Sequence, residues 1–163
     1  MLTPKLVLGS SSPFRKMLLE RLVVPFETAN PDIDESAKDG ETSIDLVERL
    51  AIEKAQAVAQ TYPNSLIIGS DQVALHCDEV VGKPHTHERA VEQLRSASGK
   101  HITLYTGLAL LNAETGNIQS EVIPFSVHFK TLTEQVIESY SVSYTHLTLP
   151  TRLRCRSRWS PYH

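Results

Sequence analysis

Side chains suited to phosphate chemistry stand where this sequence changes character. The stretch Leu6 to Lys16, LVLGSSSPFRK, passes from apolar residues into small hydroxyl residues and then into a cationic amphipathic segment. A helix beginning at Pro13 leaves first-turn N–H groups without intrahelical partners and carries a partial positive charge. Beside Ser10, Ser12, Arg15 and Lys16 it therefore offers a seat for phosphate. Further along, Asp32, Asp34 and Glu35 lie in an acidic loop, Lys54 in a helical pattern, Asp71 and Gln72 after an apolar run, and Lys83 between Gly82 and Pro84. Phosphoryl and pyrophosphoryl transfer needs its negative oxygens neutralised by Arg, Lys and a hard divalent ion, and needs a carboxylate to position or deprotonate water. Arg15, Lys54 and Lys83 suit the phosphates, Glu35 and Asp71 suit Mg²⁺ or Mn²⁺, and Asp71 also suits activation of the water.

Each of these residues has an ordinary alternative. Ser12 can simply cap the helix with Arg15 solvated, Asp71 can be a turn aspartate, and Lys54 an exposed helix lysine. Asp32, Asp34 and Glu35 alone read as a solvated acidic loop. His85 and His87 with Glu88 invite a metal reading, but the histidine pair is closely spaced and no further ligand is evident, so a helix-entry loop is preferred. There is neither a Gly-x-Ser-x-Gly elbow nor a Walker lysine motif, so Ser10, Ser11 and Ser12 serve better as phosphate donors than as nucleophiles.

The elements that must position these residues follow from patterning. Leu6 to Leu8 suits a buried strand, Gly9 to Ser12 a tight loop, and Pro13 the first helical position, with Met17, Leu18 and Leu22 on one side of that helix. Val23 to Thr28 reads as a short strand. Thr42 or Ser43 caps a helix reaching about Tyr62, with Ile44, Leu46, Val47, Leu50, Ala51, Ala55 and Val58 as its apolar side. Ser65 to Ser70 reads as a buried strand ending in Gly-Ser, which fixes Asp71 at the sheet edge where α/β ligands sit. Val73 to Leu75 and Val80 to Val81 form a hairpin, and a helix spans Thr86 to Ser96. His101 to Leu111 and Ile118 to Phe129 form neighbouring antiparallel strands turning at Gly116-Asn117, and a last helix starts at Thr131 or Thr133.

The 163 residues, 40% hydrophobic and 21% charged, have ordinary globular composition with room for a real core. A net charge of −3 argues against a general nucleic-acid binder and leaves room for a small anionic ligand in a local basic pocket. Cys77 and Cys155 form no metal-type spacing and no disulfide framework, which fits a reducing cytoplasm. No run is long enough for a membrane span, and the N-terminus is too short in apolar residues for a signal peptide.

Taken in order, Gly9-Ser10-Ser11-Ser12-Pro13-Phe14-Arg15-Lys16, Asp32-Ile33-Asp34-Glu35, Glu53-Lys54-Ala55, Gly69-Ser70-Asp71-Gln72-Val73, Gly82-Lys83-Pro84, and Ser98-Gly99 followed by Tyr105-Thr106-Gly107 form a specific set. The set resembles the Maf (septum-formation inhibitor) family of nucleotide pyrophosphatases over about Leu6 to Tyr140. The resemblance implies an α/β, Maf/ITPase-like two-lobed fold: a central mixed, twisted sheet flanked by helices, with a cleft between lobes. It implies hydrolysis of a nucleoside triphosphate to the monophosphate and pyrophosphate with a divalent metal cation (Mg or Mn), and a possible homodimer. In this resemblance Asp71 matches the proton acceptor and Ser10, Arg15, Glu35, Lys54 and Lys83 the polar cleft residues. Phe14 and Gln72 resemble the 7-methyl-GTP branch, in place of the second arginine and the threonine of the dTTP/UTP branch. A π-face suits N7-methylguanine, which is positively charged. A non-catalytic nucleotide-binding regulator of septum formation is the rival from another class.

The expected organisation is a Maf-like domain over 1–140, C-terminally incomplete, and an atypical tail over 141–163, non-native or disordered. From Ser141 the chain has no Asp or Glu, and Arg152, Arg154, Arg156 and Arg158 alternate with other residues. SVSYTHLTLPT resembles translated sequencing-adapter read-through, a reading preferred over a basic nucleic-acid-binding tail. The family's later Ala-Gly turn, discriminating glutamate and Gly-Leu-Pro are not visible after Ser141.

Overall fold

The computed structural model describes residues 4–77, 79–82 and 86–144; Lys83, His85 and the chain from Thr145 onward lie outside them. In chain order the elements are β1 (Lys5–Gly9), α1 (Pro13–Glu20), β2 (Glu27–Ala29), α2 (Ser43–Ala59), β3 (Ser65–His76), β4 (Glu79–Val80), α3 (His87–Ala97), β5 (His101–Asn112), β6 (Ile118–His128) and α4 (Glu134–Tyr144). The strands form one mixed sheet in the order β2-β1-β3-β5-β6, with β4 pairing the far end of β3. β1 runs parallel to β2 and β3, whereas β3 and β5 are antiparallel. The described residues make two compact units. The first contains β1 to β5, α1, α2 and nearly all of β6; the second contains α3 and α4.

In the first unit β1 connects through α1 to β2 on one side, and β2 connects through α2 back across β1 to β3. The two crossovers run in opposite directions, and the right-handed rule for such connections assigns their helices to opposite faces of the sheet. α2 buries Val47, Leu50, Ala51, Ala55 and Val58 on the sheet, where Val7, Ala55, Val58, Ile67 and Leu111 form a closed apolar cluster. Two glycines set how close α2 comes. A Cβ on Gly69 would lie 2.0 Å from the Ala51 carbonyl oxygen, and one on Gly107 would lie 2.1 Å from the Val47 carbonyl oxygen. The helix backbone therefore rests on the sheet backbone, which no larger residue at these two places permits.

In the second unit Thr86 caps α3 by accepting from Arg89 N at 3.3 Å, and α3 buries Ala90, Val91 and Ala97. The Arg95 fork donates to Glu134 at 3.0 and 2.7 Å, tying α3 to α4. Ser98 Oγ accepts from Leu132 N at 2.8 Å.

Several elements depart from the sequence expectations. β3 does not stop at Ser70 but continues through Asp71 and Gln72 to His76, because β5 pairs with it from Leu66 to Leu75. β2 is only three residues long. Met17 and Leu18 of α1 are 50% and 57% exposed, and Leu22, 66% exposed, lies beyond its end: the apolar periodicity is there, but the described residues do not cover that side. The final helix spans Glu134–Tyr144, later at both ends than the Thr131 to Tyr140 expected for it.

Candidate active site

The site is built at the C-terminal ends of the parallel strands, the usual ligand position in such sheets. β1 ends at Gly9, opposite Gly69 of β3. The next residue, Ser10, is buried, and its amide donates back to Leu8 O at 3.0 Å, turning the chain out of the sheet. Ser10 Oγ then accepts from Ser12 N at 3.1 Å and from Arg15 Nη1 at 3.3 Å. Ser12 is the N-cap of α1, its Oγ accepting from Arg15 N at 3.4 Å, and Pro13 follows at the first helical position. A serine that accepts twice keeps its own O–H for donation, which suits an anionic oxygen rather than nucleophilic attack. Loop, cap and guanidinium thus form one cationic, donor-rich turn.

The second half of the site is an ammonium between two carboxylates. Lys54 lies in the buried stripe of α2, its side chain only 7% exposed, and Nζ donates to Asp71 Oδ1 at 2.6 Å. The same Nζ lies 2.7 Å from Glu35 Oε1, at the end of a side chain 61% exposed. A lysine head this far from water is tolerable only when paired, so the two carboxylates explain its position. Strand alternation explains the pairing: Asp71 shares the α2 side of β3 with Ile67 and Gly69, and the glycine seats bring Lys54 down to it. No buried side-chain nitrogen or oxygen among the described residues lacks a hydrogen-bond partner.

The structure therefore gathers the sequence candidates into two groups: Ser10, Ser12 and Arg15 around the turn, and Glu35, Lys54 and Asp71 around the ammonium. Gln72, next to Asp71, belongs to the opposite face, where its Nε2 donates to Thr106 Oγ1 at 2.7 Å. Phe14, 46% exposed, is the second residue of α1, just after the Ser12 cap. Lys83 lies outside the described residues. Among the described residues there is no group of three or more His, Cys, Asp or Glu that could hold a metal ion; Glu35 and Asp71, the two carboxylates expected to do so, meet on the Lys54 ammonium.

Sequence reasoning missed Arg49. Its Nε and Nη2 both donate to the Glu41 carboxylate, Nη1 donates to Glu53 Oε2 at 2.9 Å, and Nη2 donates to Ser36 O at 3.0 Å. This fork, with the amide of Lys38 as a further donor, holds the Glu41 carboxyl down to about 2. The Arg49–Glu53 spacing of four on one helix was the available signal.

The family model described as Maf-like protein matches residues 5–149. Two curated relatives named 7-methyl-GTP pyrophosphatase, from Pseudomonas aeruginosa and Pseudomonas syringae pv. tomato, are each 56% identical over 137 residues, covering 84% of this chain and 71% of theirs. The solved structure of the Staphylococcus aureus Ham1 protein is similar in fold, with a TM-score of 0.51 and 16% identity over 76% of this chain and 71% of that one.

Proposed function

The chain belongs to the Maf family, and on that premise we propose that it hydrolyses 7-methyl-GTP to 7-methyl-GMP and pyrophosphate. It is a nucleotide pyrophosphatase, a hydrolase acting on an acid anhydride. The observation that carries the mechanism is the buried Lys54 ammonium, paired with Asp71 and Glu35 on the same sheet edge as the Ser10–Arg15 turn.

Arg15, Lys54, the Ser10 hydroxyl and the first turn of α1 meet the triphosphate oxygens and neutralise charge that grows as the anhydride breaks. Asp71 Oδ1 is held by Lys54, which leaves Oδ2 to take the proton of the attacking water. The water oxygen bonds to the α-phosphorus, the bond from that phosphorus to the bridging oxygen breaks, and pyrophosphate leaves with the electron pair. Two carboxylates gathered on one cation suit a hard divalent ion, Mg²⁺ or Mn²⁺. Glu35 and Asp71 would hold it, and when bound it would neutralise phosphate charge. Phe14 offers its π-face to the cationic base and Gln72 its amide to a base edge, which favours 7-methyl-GTP over dTTP and UTP. Such a nucleotide-pool role belongs in the cytoplasm; among the described residues no helix is long and apolar enough to cross a membrane.

The test is pyrophosphate release with Mg²⁺ or Mn²⁺ from 7-methyl-GTP, dTTP and UTP, for the wild type and Asp71→Asn. The reading expects a preference for 7-methyl-GTP and a loss on the order of 10²- to 10⁴-fold in the variant. A preference for the pyrimidine nucleotides overturns the choice of base. Nucleotide binding without pyrophosphate release overturns hydrolysis itself and favours a regulator.

A further inference from the structure

Glu35 is the outlying member of the site. It reaches Lys54 from the loop between β2 and α2, and its side chain is largely in solvent. What brings that loop back onto α2 is visible one residue further on. Arg49 Nη2 donates to the carbonyl oxygen of Ser36, the neighbour of Glu35, at 3.0 Å. The same guanidinium grips Glu41 with two nitrogens near the loop's other end, and Glu53 one turn along its own helix. Glu41 Oε2 in turn accepts from Lys38 N at 3.0 Å, Lys38 Nζ donates to Glu53 Oε1 at 3.4 Å, and Asp34 Oδ1 accepts from Ser36 N at 2.9 Å. The loop is therefore folded around one guanidinium whose side chain is only 17% exposed. Arg49 and Lys54, five residues apart on α2, look out from different sides of the helix. The loop is pinned by the first at Ser36 and Glu41, and its Glu35 meets the second.

We propose that Arg49 is a positioning residue: its planar fork fixes the Ser36 carbonyl and Glu41, and thereby holds Glu35 at the Lys54–Asp71 pair, where it serves substrate and cation binding. The proposal rests on the pyrophosphatase reading for its kinetic consequence, and on the hydrogen bonds alone for its structural one. Lysine keeps the charge but cannot supply three nitrogens in one plane, so Arg49→Lys separates fork geometry from charge.

The experiment is a cycle of wild type, Arg49→Lys, Glu35→Gln and the double variant, all full chain, with KM and kcat for 7-methyl-GTP at fixed Mg²⁺. Amide exchange over residues 32–41 is measured alongside, without nucleotide or metal. Arg49→Lys is expected to raise KM roughly 10-fold with kcat changed less than about 3-fold, because Asp71 and Lys54 stay in place. In the Glu35→Gln background the same change is expected to add less than about 2-fold, since both variants then remove one interaction. Exchange at Ser36 and Lys38 is expected to quicken about 10-fold, as their amides open more often. Independent, multiplicative effects of the two substitutions overturn the proposal, as does a kcat loss at unchanged KM or unaltered exchange. If Arg49→Lys does not fold, Glu41→Gln breaks the same fork from the loop side and must show the same non-additivity with Glu35→Gln. Absence of pyrophosphate release by the wild type overturns the pyrophosphatase reading, while the exchange measurement still decides whether Arg49 holds the loop.

Discussion

The two faces of the sheet in the first unit are made in opposite ways. On the α2 face, backbone meets backbone at Gly69 and Gly107, and Val7, Val47, Ala51, Ala55, Ile67 and Ala109 are completely buried. On the other face Leu108, Leu110, Ile123 and Phe125 are between 38% and 54% exposed. Strand alternation puts these four together: Leu108 and Leu110 alternate with Gly107 and Ala109, and the Thr103–Ser126 contact sets Ile123 and Phe125 on their side. Lys54 and Asp71, the residues proposed to react, stand on the tightly packed face, and Gln72 belongs to the looser one. The proposed chemistry, which needs its groups held to about 0.5 Å, therefore falls on the more closely packed face.

Four measurements break or sharpen this contrast. The largest effect is expected from Gly69→Ala, whose added carbon meets the Ala51 carbonyl and must push α2 outward: about 3 kcal/mol of stability lost in urea unfolding, and activity lost with it. An unchanged midpoint would mean that the helix is not seated on the strand. Next, Lys54→Met leaves the Asp71 carboxylate, 16% exposed, without its cation, and roughly 2 kcal/mol should go. A stabilised variant would show that the pair serves chemistry alone.

The outward side of α2 offers a pH test. Glu41 is held at about 2 against an ordinary 4.5, so the native state binds its proton later than the unfolded chain does. The stabilisation is complete above about 4.5 and is lost as pH falls toward 2. Glu41→Gln should therefore flatten stability against pH within that window and nowhere else. The smallest effect belongs to the loose face: Phe125→Ser should change stability by no more than about 0.5 kcal/mol, and a loss several times larger would mean that this face is packed in solution.

What the sequence disclosed was local chemistry. Ser12 and Pro13 announce a helix start wherever they sit, because cap and first position depend only on neighbouring backbone. Likewise Thr42 and Thr86 cap α2 and α3. The continuation of β3 through Asp71 was hidden because Gly69-Ser70 reads as a stop, whereas Gly69 is there to admit α2 and β5 keeps the strand extended. Lys54 occupies a core position of the stripe Val47, Leu50, Ala51, Lys54, Ala55, Val58, a spacing that signals burial; its partners, 17 and 19 positions away, are set by tertiary structure. Periodicity showed which side of α1 is apolar and said nothing about whether anything covers it, so Met17 and Leu18 misled. The motif set read as a whole identified the family, which residue-by-residue reasoning left open.

The seat of α2 also orders events during synthesis. Ser10, Glu35, Lys54 and Asp71 have all been made when the ribosome reaches Gln72, but half of the surface on which α2 rests is Gly107 on a strand still to come. At ordinary elongation rates the stretch from Gln72 to Gly107 takes roughly 2 to 7 s. Throughout that interval the growing chain carries all three charged residues, Glu35, Lys54 and Asp71, with only the Gly69 half of the platform that brings them together. The nascent first half therefore holds the candidate residues ahead of the strand that seats them, and the arrival of β5 is the moment at which the structure can gather them.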